Sequence, residues 1–414
     1  MRVVIFLMSV WMVLMILPAQ AQPSTEAVDP DAVLARVGDR EITVRDFLER
    51  YEATPWLGRE KASLEDRHRV EFLASMIAEA LLAEQAEREG VEWLPAVRRT
   101  VDEIERLNVL DALYRQEVME PVLIDDISID DVLGHYLMAV AFQYIVSPDA
   151  ALIEELATAA LHGVPFDSLA LRVGQDGQYE VRRWGEMAPA VENILYDSLA
   201  IGRIAGPVEV DESYYLLKIV DLQSGLPDGV PDLAGAREAV RRTLQWRDEQ
   251  QNLADFLAAF SRGKDVTVHG PVFQHLAGAF RQAVAAKRDL MVKAGEEPYP
   301  LALGGSDYRV IRSEMNEKLA TRLVTGPSFE MDVDYVLDRI AFKGFKLEAP
   351  VDGVSKRLSG LLQTLIHEEF LAREGYERGL DARPNVRREV ERWQQAHLAF
   401  TLMKQMAMSR PEGA

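Results

Sequence analysis

The sequence predicts an α+β protein: mostly helical modules, duplicated, around one small antiparallel-sheet domain. Three observations predict it. Apolar residues recur at helical spacing through most of residues 64–119, with Leu73, Ile77, Leu81 and Leu82 among them. Residues 72–101 align without a gap on residues 361–390, which points to a second copy of the helical module. Between the two, residues 138–222 alternate strand-like apolar runs, short helical stretches and Gly/Pro turns.

Taken in order, the first element is an address. Arg2 precedes an apolar run from Val3 to Leu17, then Pro18 and Ala19-Gln20-Ala21. That is the layout of a secretory signal peptide over residues 1–21, cleaved near Ala21, and it predicts a periplasmic protein. An uncleaved anchor is the competing reading, although the run is short for a bilayer and its flank is polar. The N-terminal module, residues 31–135, opens with alternation around Gly38-Asp39, a small hairpin, after which Thr43 caps a helix through Phe47. Residues 229–298 read as a helical connector: a Pro/Gly linker at Gly225 to Pro231, helices from Leu233 to Phe260 and from Gln274 to Val292, and a short strand at Asp265 to Val268.

The last region, residues 301–410, is the second helical module. Leu73 matches Leu362, Ile77 matches Ile366, Glu79 matches Glu368 and Ala83 matches Ala372. Helix composition alone would supply the leucines, but not Gly90 with Gly379 and Pro95 with Pro384 at the same offset. The run Leu301-Ala302-Leu303-Gly304-Gly305 is the expected counterpart of the first hairpin strand, Leu34 to Gly38.

Composition narrows the function. A net charge of −21 over 414 residues argues against nucleic-acid binding, because phosphates would be repelled. With no cysteine, disulfides, lipid attachment and a thiol nucleophile are all excluded. The seven histidines are scattered singly, and His367-Glu368 lacks the second histidine of a zinc-protease helix. No metal site and no cofactor are expected.

The 138–222 stretch carries the chemistry. Val140 to Val146 is followed by Gly163-Val164-Pro165-Phe166-Asp167-Ser168-Leu169-Ala170, then Trp184-Gly185-Glu186-Met187-Ala188-Pro189. Gly202 to Val208 and Ser213-Tyr214-Tyr215-Leu216-Leu217-Lys218 complete it. This order and spacing resemble the parvulin (PpiC-type) peptidyl-prolyl isomerase domain. The preceding hairpin and long helices resemble the N-terminal module of SurA-like periplasmic chaperones. The resemblance implies a site in which two histidines organise a third polar residue. Here Gln143 and Tyr215 stand at the histidine positions and Asp176 at the third, able to hydrogen-bond to one another but not to stack as imidazoles. Met187 matches the methionine of the proline seat, Val191 replaces a phenylalanine, and Tyr196 matches an aromatic residue on the same helix. The double glycine expected before Trp184 is replaced by Glu180-Val181-Arg182-Arg183.

Prolyl isomerisation breaks no bond, so an apolar seat, a dry groove and polar groups favouring the twisted amide suffice. Three functions are compatible with the residues. The leading expectation is an exported folding factor with weak or lost isomerase activity. It would bind unfolded or extended envelope polypeptides, with outer-membrane proteins among the candidate clients, and would have no stable membrane insertion after signal cleavage. The second is an active prolyl isomerase using Asp176, Gln143 and Tyr215 as a modified catalytic set, with substrate against Met187, Val191 and Tyr196. The third is a scaffold component that binds one folded partner.

Overall fold

A computed structural model describes residues 29–409 apart from 55–61, 176–177, 198, 261 and 350–352. The predicted signal segment, the expected cleavage site and Asp176 therefore lie outside the described residues. Two compact units divide the chain. One comprises the residues up to Glu105 together with those from Arg383 onward, and the other Arg106–Ala382.

In the first unit, strands β1 (Val33–Val37) and β2 (Arg40–Thr43) form an antiparallel hairpin turning at Gly38, whose φ of 57° is one that L side chains rarely adopt. Helix α1 (Val44–Ala53) starts at Thr43 with a reciprocal cap: the Asp46 amide donates to the Thr43 hydroxyl, and the Thr43 amide donates to the Asp46 carboxylate. Phe47 and Tyr51 then stack at 5.4 Å and meet Phe72 edge-on from α2 (Ala62–Arg88). Arg50 on α1 forms a forked pair with Glu79 on α2 at 2.9 and 2.8 Å. Gly90, at φ 72°, ends α2 and leads into a 3-10 turn (Val91–Trp93) and α3 (Pro95–Tyr114), whose residues from Arg106 on, with the π turn (Arg115–Met119) that prolongs it, belong to the second unit.

The second unit contains α4 (Asp126–Tyr136) and a four-stranded antiparallel sheet in the order β4-β3-β6-β5: β3 Met138–Ser147, β4 Gln178–Arg182, β5 Ile204–Val210 and β6 Ser213–Ser224. Helices α5 (Ala150–Leu161) and α6 (Phe166–Arg172) cover one face through Ile153, Leu156, Phe166 and Leu169. The other face packs on α7 (Pro189–Tyr196), Trp184 and Val240 of α8 (Leu233–Phe260). After β7 (Thr267–Val268) come α9 (Gly270–Lys293), β8 (Leu301–Ala302) and α10 (Gly305–Glu314). These are followed by β9 (Arg322–Thr325), β10 (Glu330–Asp332), α11 (Val333–Lys343), β11 (Lys346–Leu347) and α12 (Val354–Glu377). Phe280, Phe345, Leu323, Leu337 and Leu365 are buried together at the centre of this second core. A 3-10 turn (Leu380–Ala382) precedes α13 (Pro384–Ser409), which belongs to the first unit.

The elements of 33–114 recur 289 residues later. Val44 opens α1 and Val333 opens α11; Gly90 and Gly379 both take positive φ; Pro95 opens α3 and Pro384 opens α13. Asp332 caps α11 by accepting from the Tyr335 amide, as Thr43 caps α1. The Arg50–Glu79 pair returns as Arg339–Glu368 at 2.9 Å. The counterpart of the first hairpin is therefore β9-β10, not Leu301 to Gly305 as the sequence suggested. Leu301–Ala302 pairs instead with Lys346–Leu347. The apolar run at 301–303 also leads into a helix, with the Gly304 amide donating to Asp307, so a strand followed by a helix start does not by itself mark the true counterpart.

The last helix of each copy lies on the long helix of the other. In the first unit, Leu398, Ala399 and Leu402 of α13 are buried with Ala83 and Ala86 of α2. In the second unit, a Cβ built on Gly375 of α12 would collide with Cγ1 of Val109 on α3. Leu398 and Val109 are equivalent positions, as are Ala86 and Gly375.

Candidate functional site

The candidate residues sit on the four-stranded sheet and the loop before α7. Strand alternation sorts them. Gln143 pairs across the sheet with Lys218, while Tyr144 pairs with Leu217 and Val146 with Tyr215. Gln143 and Lys218 turn toward α6, where the Gln143 amide donates to Asp167 at 3.1 Å and the Lys218 ammonium lies 6.0 Å from the Phe166 ring. Tyr215 turns the other way, into the cluster that contains Met187, Val191 and Tyr196. Gln143 and Tyr215, which the sequence reading set at the histidine positions, thus occupy opposite faces, and the hydrogen bond between them that the sequence allowed does not form. The neighbour Tyr215 does have is Tyr144, with ring centroids 6.1 Å apart. Burial, with the Glu180 carboxylate, pushes the Tyr144 phenol up from its ordinary value.

Of the three residues expected to line a proline seat, two are core. Val191 and Tyr196 are buried, and the Tyr196 hydroxyl donates to the Met138 carbonyl at 2.7 Å, with the ring 4.9 Å from His135. Burial pushes that phenol strongly up. Met187 is half-buried against the same cluster.

The side chain that organises this face was not among the candidates. Glu192, 1% exposed, accepts from the Gly185 amide at 2.6 Å and the Met187 amide at 3.3 Å. Its other oxygen takes the Arg247 guanidinium of α8 at 2.6 Å, and that guanidinium also lies 4.5 Å from the Trp184 ring. Glu192 follows Val191 in the sequence, but nothing in the sequence marks Arg247 as its partner 55 residues on.

A second charged cluster lies on the repeated helices. Glu369, nearly buried, accepts from Arg106 at 2.5 Å, the Tyr335 hydroxyl at 2.7 Å and Arg373 at 2.9 Å, and lies 3.4 Å from Arg339. Burial pushes Glu369 up, but Arg106, the Tyr335 hydroxyl, Arg339 and Arg373 outweigh it and hold the carboxyl below its ordinary value. A depression of about 310 Å³ lined by Arg106, Glu369, Arg373, Tyr376 and Glu377 opens beside it. Among the described residues no cluster of His, Asp and Glu could hold a metal, and no helix is long and apolar enough to cross a membrane.

No family model matches the chain. The foldase protein PrsA of a Geobacillus strain is 26% identical over 125 residues, which is 28% of this chain and 45% of that protein, so the match spans less than half of the relative. Among solved structures, the peptidylprolyl isomerase PrsA of Bacillus cereus is 15% identical, with 56% of this chain and 93% of that one covered at a TM-score of 0.27. PrsA of Bacillus anthracis is 16% identical, covering 45% and 96% at 0.26. A SurA-like chaperone of Campylobacter jejuni is 15% identical, covering 55% and 98% at 0.23. Over those 125 residues the chain has a distant sequence resemblance to the foldase protein PrsA.

Proposed function

We propose that the protein is an exported folding factor that binds non-native envelope polypeptides and has little or no prolyl isomerase activity of its own. The observation that carries this reading is the sorting of Gln143 and Tyr215 to opposite faces of the sheet, so these two form no polar pair, and the pair that does converge on the Met187 face, Tyr144 with Tyr215, carries phenols rather than imidazoles. What remains on the Met187 face is apolar and aromatic, suited to contact rather than to stabilising a twisted amide. The signal-like N-terminus and the resemblance to PrsA and SurA-type proteins support the exported location.

Two assays on the full mature chain test it. Light scattering of a chemically denatured client should fall at near-equimolar protein. A protease-free NMR exchange measurement on X-Pro peptides should show rates close to the spontaneous ones, tens to hundreds of seconds at 25 °C. The variant Gln143→His/Tyr215→His should stay inactive, since its imidazoles would face apart, whereas Tyr144→His/Tyr215→His would set them on one face. Clear wild-type turnover that falls in Met187→Ala would overturn the reading in favour of an active isomerase.

A further inference from the structure

Among the described residues of the first unit, helix α13 buries one face and leaves another uncovered. Leu398, Ala399 and Leu402 face α2. Around the other side, Trp393 is 53% exposed, Phe400 58% and Met403 48%, with Ala407 exposed beyond them. At about 100° per residue these four positions fall within an arc of roughly 80° and run about 21 Å along the helix. Met406 and Met408, also exposed, widen the distal end. A continuous apolar stripe of this kind on a well-packed helix marks an interaction surface.

The internal repeat says what such a face carries. The positions equivalent to Phe400, Met403 and Ala407 are Asp111, Tyr114 and Val118, on α3 and the π turn that prolongs it. There Tyr114 and Val118 are covered by a helix, α8, while Asp111 pairs with Arg115. The Asn252 side chain donates to the Val118 carbonyl at 3.1 Å, Val118 is 1% exposed, and burial together with Glu249 pushes the Tyr114 phenol up. The covered copy has aspartate, tyrosine and valine at these positions. The uncovered copy has phenylalanine, methionine and alanine. A helix already hydrogen-bonded along its own backbone has no free donors or acceptors to pair with an extended strand, so side-chain packing is the only contact it offers. Methionine side chains adapt to partners of different shape.

We propose that the Trp393–Phe400–Met403–Ala407 face of α13 docks the apolar side of an amphipathic helix presented by a non-native polypeptide, in the way α8 covers the equivalent face of α3. The proposal rests on the folding-factor reading and specifies the element of the client that is held.

The test uses the full mature chain and a fluorescein-labelled Leu/Gln/Lys peptide of about 15 residues, long enough for the stripe, whose leucines fall on one helical face. A scrambled peptide of identical composition and charge controls for attraction to the acidic protein. Anisotropy should show saturable binding of the amphipathic peptide, about tenfold or more weaker binding of the scrambled one, and a loss of about tenfold or more in Phe400→Gln/Met403→Gln. Both substitutions are at exposed sites, so circular dichroism and Tm should match wild type. Equal affinity of variant and wild type, or of the two peptides, overturns the proposal. A wild-type dimer that the variant converts to monomer also overturns it, because the face then belongs to a second copy of the chain. Light scattering separates the two readings. If the variant suppresses client aggregation as well as wild type does, the α13 assignment fails and the folding-factor reading stands. If wild type binds the peptide through α13 but suppresses no aggregation, the docking face stands and the folding-factor reading fails.

Discussion

Replacing Gly375 by alanine would test the exchange of terminal helices between the two repeats, and the outcome should change sign with what stands at Val109. Gly375 lies inside α12 with no positive φ, so on helix propensity alone alanine should stabilise by about 1 kcal/mol. The space is taken, however. The new methyl would run into Cγ1 of Val109, which is fully buried, and the Leu380 side chain and Val109 carbonyl stand close behind it. A β-branched side chain on a packed helix has little room to withdraw, and overpacking of this sort costs about 1–3 kcal/mol. Gly375→Ala alone should therefore be neutral to destabilising by about 2 kcal/mol, the overpacking cost less the propensity gain. In a Val109→Ala background the collision disappears. The same substitution should then stabilise by about 1 kcal/mol and refill part of the cavity. Urea unfolding of the four proteins in the cycle gives the coupling directly, expected at about 1–3 kcal/mol. The equivalent pair, Ala86 and Leu398, already has alanine in the long helix, so Ala86→Gly should destabilise by about 1 kcal/mol or more. An effect of Gly375→Ala that is the same in both backgrounds would refute the packing of α3 on α12.

Two other perturbations address the buried charges. Arg247→Met strands the Glu192 carboxylate in a site that is 1% exposed and should cost about 3–5 kcal/mol in urea unfolding. Glu192→Gln/Arg247→Met, which keeps an acceptor for the Gly185 amide, should recover most of that loss, and a double variant no better than the single would show that the pair is not coupled. Glu369 has its pKa depressed in the folded chain, so its contribution is fully present above the unfolded carboxylate value, about 4.3, and is lost as pH falls through the folded value. Glu369→Gln should lower Tm at neutral pH, and the gap from wild type should close as pH is taken below about 4; a gap independent of pH would show that the carboxylate is not what its neighbours stabilise.

Much of the fold could be read from local signals with a physical cause. Thr43 marked a helix start, and Gly90 and Pro95 gave punctuation that the structure repeats at Gly379 and Pro384. The repeat was legible over 72–101 because long helices preserve side-chain character at buried positions. It was not legible back to Val33, because a two-stranded hairpin needs only alternation and a turn, and Arg36-Val37-Gly38-Asp39 matches Thr325-Gly326-Pro327-Ser328 at none of four positions. Periodicity also shows that a helix face is buried without naming its partner. Nothing in the pattern of Val109 and Leu113, or of Leu398 and Leu402, says that each helix lies on the other copy's long helix.

The site illustrates the same limit at the scale of one residue. Matching letters puts Gln143 at a histidine position, and that is a statement about order along the chain. Which way a strand residue points depends on pairing, and a one-residue difference exchanges the faces. Phe142 and Tyr144 are taken into the cluster that holds Met187, so Gln143 is left to Asp167 and Lys218 on the other side. The residue that Tyr215 meets is then Tyr144, and two phenols 6.1 Å apart with raised desolvation at one of them make an apolar contact surface more readily than a proton-handling pair. On this geometry Gln143 and Tyr215 cannot be brought to face one another by a change of letters alone, and Gln143→His/Tyr215→His would leave its imidazoles on opposite faces of the sheet.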